Sequence, residues 1–492
     1  MIAKIATPPV DLFATGPVLL LAVAALALLV TGSFLTGERN RTVSSLIGLG
    51  GFAGAALWAY LQSDDPDHLV FSKQLSLDRF SLFVQIVICL AGVASVLAGW
   101  GTRRIDARIS EYYALLLFAG SGMCLLASAN GFVSLFVALE LFSISLYVLC
   151  ALAIDDESSL ESGLKYVVTG SVGSAFLLFG SALVYGGAGT LRFDLMGTAL
   201  AQGDQAHQSF VLVGIAMVVA GLAFKASAAP FHMWTPDVYE GAPTAVTAFM
   251  ATATKTIALA TMLRVLVTAF DASSDVWTGG VGAIAMLSMI IGNLAALRQR
   301  NAKRMLAYSS VGHAGYLLIG VVAHTPLAGR ALLFYLAVYT AMNAGAFCVL
   351  SVRERELGGP VTIDDLRGLG RARPLMGAAL ALFLLSLASF PPTGGFLAKL
   401  YLFSAAIDAG VGHLAIVGVI GTMISLGYYL RFALAIYQPE VEGREQTVRS
   451  TQGLRMAALG TFAAAAVVLW LGVYPAPLLD AARVAASSLA LS

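Results

Sequence analysis

Three lysines and one glutamate stand in stretches otherwise apolar enough to cross a membrane. Lys225 sits in LAFKASAAPFHMWTPDVYEGAPT (222–244), five residues before Pro230. Lys399 sits in SFPPTGGFLAKLYLF (389–403), beside Pro391 and Pro392. Lys255 falls about eleven residues into the apolar run that begins near residue 244, roughly 16 Å along a helix and close to the midplane. Glu140, in VSLFVALELFSISLY (133–147), lies comparably deep, and reads as the one deep carboxylate. Each central lysine costs about 2.5–3.5 kcal/mol on insertion scales, and three cost roughly 8–10 kcal/mol before any pairing. That is large against the marginal stability of a folded chain. A lysine whose pKa is moved by burial or by a neighbouring carboxylate takes up and releases protons, and a row of such groups at one depth is a proton relay. The bland alternative is polar glue between helices, each ammonium satisfied by carbonyls and never titrating.

The histidines divide in the same way. His313, in YSSVGHAGY (308–316), lies at the same depth as the lysines and could pass protons between them; His232 lies two residues after Pro230. His68, His207, His324 and His413 fall in or near loops and read as solvated. Asp237 and Glu240, at the end of the Lys225 segment, fit either a proton-collecting antenna or a solvated cap. Three further basic residues have ordinary readings. Lys165 has Glu161 one turn before it, and Arg264 and Arg431 lie near the far interface, where a long side chain snorkels.

Elements must hold these groups in lipid. Of 492 residues, 58% are hydrophobic and 12% charged, with mean hydropathy +0.83; a soluble domain carries about 25% charged residues. The chain is therefore an all-α integral membrane protein. The net charge of +1 argues against a nucleic-acid partner. Cys89, Cys124, Cys150 and Cys348 all lie in apolar runs without a CxxC pair, so neither a disulfide framework nor an iron–sulfur site is expected. Taking about 20 apolar residues per span, the sequence predicts about 14 transmembrane helices. The seventh (209–240) and twelfth (374–408) are too long for one span and are interrupted by Pro230 and by Pro391–Pro392; the others read as continuous. The breaks are five helices apart, an odd number, so helices 4–8 and 9–13 form two inverted five-helix repeats if they are related units, an architecture of transporters. The expected divisions are 1–110 (helices 1–3), 111–270 (first repeat), 271–440 (second repeat) and 441–492 (helix 14).

Loops after odd-numbered helices hold most of the basic residues, among them Arg39, Arg103, Arg104, Arg298, Lys303, Arg304, Arg353, Arg444 and Arg449. The opposite side holds Lys4, Lys73, Arg79, Arg192, Arg330 and Arg483. The positive-inside rule places the odd loops in the cytoplasm and both termini outside, on the periplasmic side of a bacterial inner membrane.

The phrase PFHMWTPDVYEGAPT (230–244), the lysine in SFPPTGGFLAKLYLF and TIDDLRGLG (362–370) resemble the antiporter-like subunits of respiratory complex I, the proton-pumping NADH–quinone oxidoreductase, in their N form. The resemblance covers nearly the whole chain. It implies fourteen helices with broken helices 7 and 12 and two inverted repeats. It pairs Glu140 with Lys225 as the titrating lysine of the first half, makes Lys255 the central lysine and Lys399 the terminal lysine of the second half, and sets His313 and His232 beside a hydrated axis. The implied mechanism is proton transport through two half-channels, driven by quinone reduction in other subunits. By the same resemblance this chain carries no cofactor, with flavin, iron–sulfur clusters and quinone in its partners, which are the other membrane-arm subunits, including the other antiporter-like ones, and membrane lipid. The nearest rival is a subunit of a multisubunit sodium/proton antiporter without a redox partner. A spacer subunit gains nothing from buried charge, and a solute symporter wants a polar cavity that the sequence does not suggest.

Overall fold

The computed structural model describes residues 11–64, 68–102, 108–202, 205–440, 453–489 and 491. Lys4, Arg103, Arg104, Arg444, Arg449 and the side chain of His207 lie outside the described residues. The helices in order are α1 (Gly16–Gly32), α2 (Gly37–Leu61), α3 (Arg79–Gly99), α4 (Ile109–Ala127), α5 (Phe132–Cys150), α6 (Glu157–Ala188), α7 (Phe193–Gln202), α8 (Gln205–Lys225), α9 (Trp234–Gly241) and α10 (Thr244–Phe249). They continue as α11 (Lys255–Arg264), α12 (Ser274–Ala296), α13 (Ala302–Ala323), α14 (Pro326–Leu357), α15 (Leu369–Ala372), α16 (Pro374–Leu387), α17 (Gly394–Asp408), α18 (Gly412–Tyr437), α19 (Leu454–Val473) and α20 (Ala476–Ala486). Among the described residues, eleven helices are long and apolar enough to cross a membrane, and Gly16–Gly32, Ser209–Lys225 and Pro374–Leu387 are shorter apolar ones.

In lipid every backbone group must find its partner inside the protein, and helices achieve this within one segment. Their ends are closed by recognisable caps. Asp78 and Ser81 form a reciprocal capping box on α3, and Asp156, Asn301 and Thr325 cap α6, α13 and α14. Gly189 and Gly358 end α6 and α14 in the left-handed conformation. Small residues bring helices together: a methyl on Gly180 would fall 2.8 Å from the Gly214 carbonyl, so α6 and α8 meet backbone to backbone.

The stretch Thr244–Ala269 is buried along its whole length and α13 and α14 nearly so, whereas α6 and α19 turn most of their surface outward. The centre of the bundle is thus built on the helices that carry Lys255 and His313. Two helices are interrupted as expected. After α8 the chain leaves the helix at Ser227 (φ 57°) and resumes at Trp234; after α16 it leaves near Ser389 (φ 66°) and resumes at Gly394. The two exits close alike: Ser227 N–H donates to the Phe224 carbonyl and Ala228 N–H to that of Ala223, while Ser389 N–H donates to the Ser386 carbonyl and Phe390 N–H to that of Leu385.

Two features go beyond the sequence reading. The eighth predicted helix is not uniformly α-helical, since it widens into π turns at Met250–Thr254 and Val265–Ala269. The loop before α3, assigned no structure, holds a small antiparallel hairpin, β1 (His68–Val70) with β2 (Leu75–Leu77), paired His68 to Leu77 and Val70 to Leu75. It delivers Asp78 to its place.

Candidate functional site

Glu140 lies on the outward face of α5, partly exposed among the exposed Val133, Val137, Leu141 and Ile144. Its carboxylate accepts a hydrogen bond from Ser174 Oγ on α6. Lys225, the last residue of α8, is buried, and its Nζ donates to Ser143 Oγ at 2.8 Å. The rings of Phe142, Tyr147, Tyr166 and Phe224 surround that ammonium with centroids 5.4 to 5.9 Å away, a cation–π setting that offsets part of its desolvation. Glu140 and Lys225 make no direct ion pair. Ser143, the partner of Lys225, is one turn from Glu140 on α5.

Lys255 follows the first π turn and is buried. Its Nζ donates to the Ala226 carbonyl at 2.6 Å and to the Ser310 carbonyl at 3.2 Å. The first of these belongs to the residue next to Lys225, where the helix break begins, so the ammonium satisfies backbone at the end of α8. The second lies on α13, one turn before His313. Wide turns inside α-helices are frequent at functional positions, and this one sets the lysine between two chains of backbone.

His313 is buried and engaged through both ring nitrogens, Nδ1 with Tyr335 Oη at 2.8 Å and Nε2 with Tyr429 Oη at 3.1 Å. Tyr429 also shares a hydrogen bond with Ser309. The rings of Tyr316, Tyr335 and Tyr339 pack on the imidazole. Tyr316 joins the second half: its hydroxyl accepts from Asn293 Nδ2 at 2.9 Å, and its ring centroid lies 4.2 Å from Lys399 Nζ. Asn293 Oδ1 in turn accepts from Tyr428 Oη at 3.0 Å. Lys399 is buried on α17 and donates to Thr422 Oγ1 on α18 at 3.1 Å. The result is a file of polar groups running from the α5–α6 face, through the first break, to the α17–α18 contact. Its titratable members, the lysines, Glu140 and His313, are groups of the kind that take up and release protons, and hydroxyls, amides and backbone carbonyls are their hydrogen-bond partners.

A family model described as NADH:quinone oxidoreductase/Mrp antiporter, transmembrane, matches residues 129–425, a span that contains Glu140, Lys225, Lys255, His313 and Lys399. The NADH-quinone oxidoreductase subunit N of Parvibaculum lavamentivorans is 41% identical over 476 residues, 96% of both chains, and that of Rhodospirillum rubrum 40% identical over 475 residues, again 96% of both. The chain belongs to the NADH-quinone oxidoreductase subunit N family. A chain of respiratory complex I from Thermus thermophilus superposes on this N-family chain with a TM-score of 0.81 at 34% identity, covering 95% of this chain and 99% of that one. A chain of the Mrp complex from Dietzia sp. has the same shape (TM-score 0.84) at 25% identity, covering 97% of both.

The N-family chain places the other sequence-predicted residues as follows. His232 is buried near the first break, 6.5 Å from the Tyr308 ring, but its Nδ1 has no hydrogen-bond partner within the protein and it does not join the His313 network. Asp237 and Glu240 are ion-paired. Asp237 accepts from Lys165 at 2.8 Å and Arg304 at 2.7 Å, and Glu240 from Arg304 at 2.8 Å and Asn301 at 3.0 Å, tying α6, α9 and α13 together. Lys165 also pairs with Glu161, as expected.

Two expectations fail. Arg264 does not snorkel: it is buried against Asp78, 2.6 Å away, with its guanidinium 4.7 Å from the Phe80 ring centroid. Lys303, counted with the loops, is buried in α13 and donates to the Ala242 carbonyl at 2.9 Å and to Glu354 at 3.4 Å. Glu140, mid-way along α5, is partly exposed, whereas Asp78, Glu356 and Asp365, at or beyond helix ends, are buried. Sequence reading also missed Ser143, Ser174, Asn293, Tyr316, Tyr335, Tyr428, Tyr429 and Thr422. Serines and tyrosines are ordinary in membrane helices, so their types carried no signal; only their spacing from the lysines, such as Tyr316 one turn after His313, could have drawn attention.

Proposed function

We propose that this chain is the N subunit of a bacterial NADH–quinone oxidoreductase and carries protons through the membrane along the file just described. Glu140 and Lys225 are the first-half couple, Lys255 the central carrier, His313 the link and Lys399 the terminal group; His232 lines the path near the break. The observation that carries this reading is that Lys255 is buried between the Ala226 carbonyl, next to Lys225, and the Ser310 carbonyl, one turn before His313. Buried polar atoms without a partner in the protein, Tyr166 Oη, His232 Nδ1, Thr254 Oγ1 and Ser389 Oγ, are groups that internal water would satisfy.

The eleven long helices and three shorter apolar ones are read as fourteen crossings. The like closure of the two breaks supports two inverted repeats, helices 4–8 and 9–13, with divisions at 1–110, 111–270, 271–440 and 441–492. The basic loops support a cytoplasmic side at Arg39, Arg298 and Arg367 and periplasmic termini. The driving reaction belongs to partner subunits holding flavin, iron–sulfur clusters and quinone, and the neighbours in the membrane arm include the other antiporter-like subunits.

The test is NADH-driven proton pumping in membranes. Lys225→Ala and Lys399→Ala are each expected to leave the assembled enzyme present and to cut pumping severalfold. Pumping equal to wild type in both would overturn the relay. A second reading, a sodium/proton antiporter subunit, has in its favour the likeness in shape to the Mrp complex. Tagged chain purified in mild detergent decides between them: co-purification with NADH–quinone reductase activity supports the first, and membrane partners without it support the second.

A further inference from the structure

Between α1, α4 and α5 lies a groove of about 510 Å³, within the roughly 300–1,000 Å³ range of small-molecule sites. Its walls are apolar, with Leu29 from α1, Phe118 from α4, Val148 from the end of α5 and Leu152 just beyond it. Its mouth is charged. Arg108, half-buried at the start of α4, and Glu111, exposed one turn on, both line it, and neither has an ion-pair or hydrogen-bond partner among the described residues. The end of α1, the start of α4 and the end of α5 are all at the groove, so it opens at one membrane face. From Arg108 to Phe118 is ten residues of helix, about 15 Å, the depth of one leaflet of a hydrocarbon core about 30 Å thick.

We propose that this groove binds a glycerophospholipid, one acyl chain lying along α4 to Phe118, the phosphate on Arg108 and an ammonium-bearing head group on Glu111. The chemistry follows from the order of the groups: cation, then carboxylate, at the level of the head groups, above an apolar slot. Arginine matches phosphate with a fork of donors, and basic clefts between helices at a membrane surface take lipid head groups. A purely anionic head group would meet Glu111 and be disfavoured, which points to a zwitterionic phosphatidylethanolamine over phosphatidylglycerol. Nothing in this assignment depends on whether the lysine file moves protons.

The experiment uses the assembled enzyme and two probes, phosphatidylethanolamine and phosphatidylglycerol, each with a photoactivatable diazirine midway along one acyl chain. The expected result is labelling of peptides from α4 and α5, stronger with the ethanolamine probe. Arg108→Gln should reduce labelling about tenfold, the worth of one charge-assisted hydrogen bond, and Glu111→Gln should remove the preference between probes. Ala114→Leu, which fills the groove without touching charge, should also reduce labelling and serves if Arg108→Gln does not assemble. Labelling unchanged by the groove-filling variant, or absent in the assembled enzyme because a partner subunit covers the groove, would overturn the site. A preference that survives Glu111→Gln would overturn the head-group assignment.

Discussion

At the scale of single residues, the buried ammonium groups are held mostly by uncharged partners. Lys225 has a serine hydroxyl and four rings, Lys255 two carbonyls, Lys399 a threonine and a ring. None is locked in a direct carboxylate pair of the kind that buries Arg264 on Asp78. That contrast is what the proposed relay requires of the lysines, because a close opposite charge stabilises the charged form and a neutral acceptor does so far less. His313 gives the sharpest test. Tyr335→Phe removes the Nδ1 partner and nothing else of size, so assembly should be retained while pumping, followed as NADH-driven quenching of a pH dye, falls severalfold; unchanged pumping would take His313 out of the path. The charges themselves were legible in the sequence because a charge in an apolar run is costly and needs a reason. Their partners were not, since Ala226 and Ser310 act through carbonyls that every residue has, and Tyr429 is one aromatic among many.

At the scale of elements, the two breaks were legible from Pro230 and Pro391–Pro392, which cannot continue a helical ladder. What prolines do not reveal is the pair of serines that turn the chain at positive φ, Ser227 and Ser389. A non-glycine residue there is strained by roughly 1–3 kcal/mol. Ser389→Gly should therefore leave the thermal midpoint of the purified enzyme unchanged or raised, and Ser389→Val should lower it, since a β-branched side chain fits that region worst; equal midpoints would show that the break does not depend on this turn. The misplacement of Arg264 has an element-level cause as well. Counting along its helix puts it near an interface, but the β1–β2 hairpin brings Asp78 over the helix end, and a contact between residues so far apart in sequence leaves no mark in either segment.

At the scale of the whole molecule, the distribution of basic residues predicts one orientation for all the crossings. The four native cysteines are buried, so single surface cysteines report sidedness cleanly. Arg298→Cys and His413→Cys, both at exposed positions, should react with a membrane-impermeant maleimide from opposite faces, the first only in inside-out vesicles and the second only in intact spheroplasts. The reverse pattern would invert the topology. That the chain is a bundle of many membrane-crossing helices was readable from hydropathy, because lipid forces nearly every span to announce itself by length. The layering was not: that Thr244–Ala269 and α13 lie innermost, while the more apolar α19 lies outside, depends on which faces meet, and a helix apolar all round gives no direction.

The π turn at Met250–Thr254 has a consequence for how such a chain tolerates change. A π turn accommodates about one residue more than the α turn it replaces, and one residue corresponds to about 100° of rotation in an α-helix. The face that carries Lys255 is thus set by a stored residue upstream, and the second wide turn, at Val265–Ala269, follows directly on the same helix. A buried helix normally cannot gain or lose a residue without turning its whole downstream surface away from its neighbours. Here a deletion within one wide turn can be absorbed by restoring regular pitch, with the rotation confined to the ten residues of α11 if the other turn adjusts in compensation. The most enclosed helix of the bundle is therefore also the one with slack in its register, and that slack sits on both sides of its lysine.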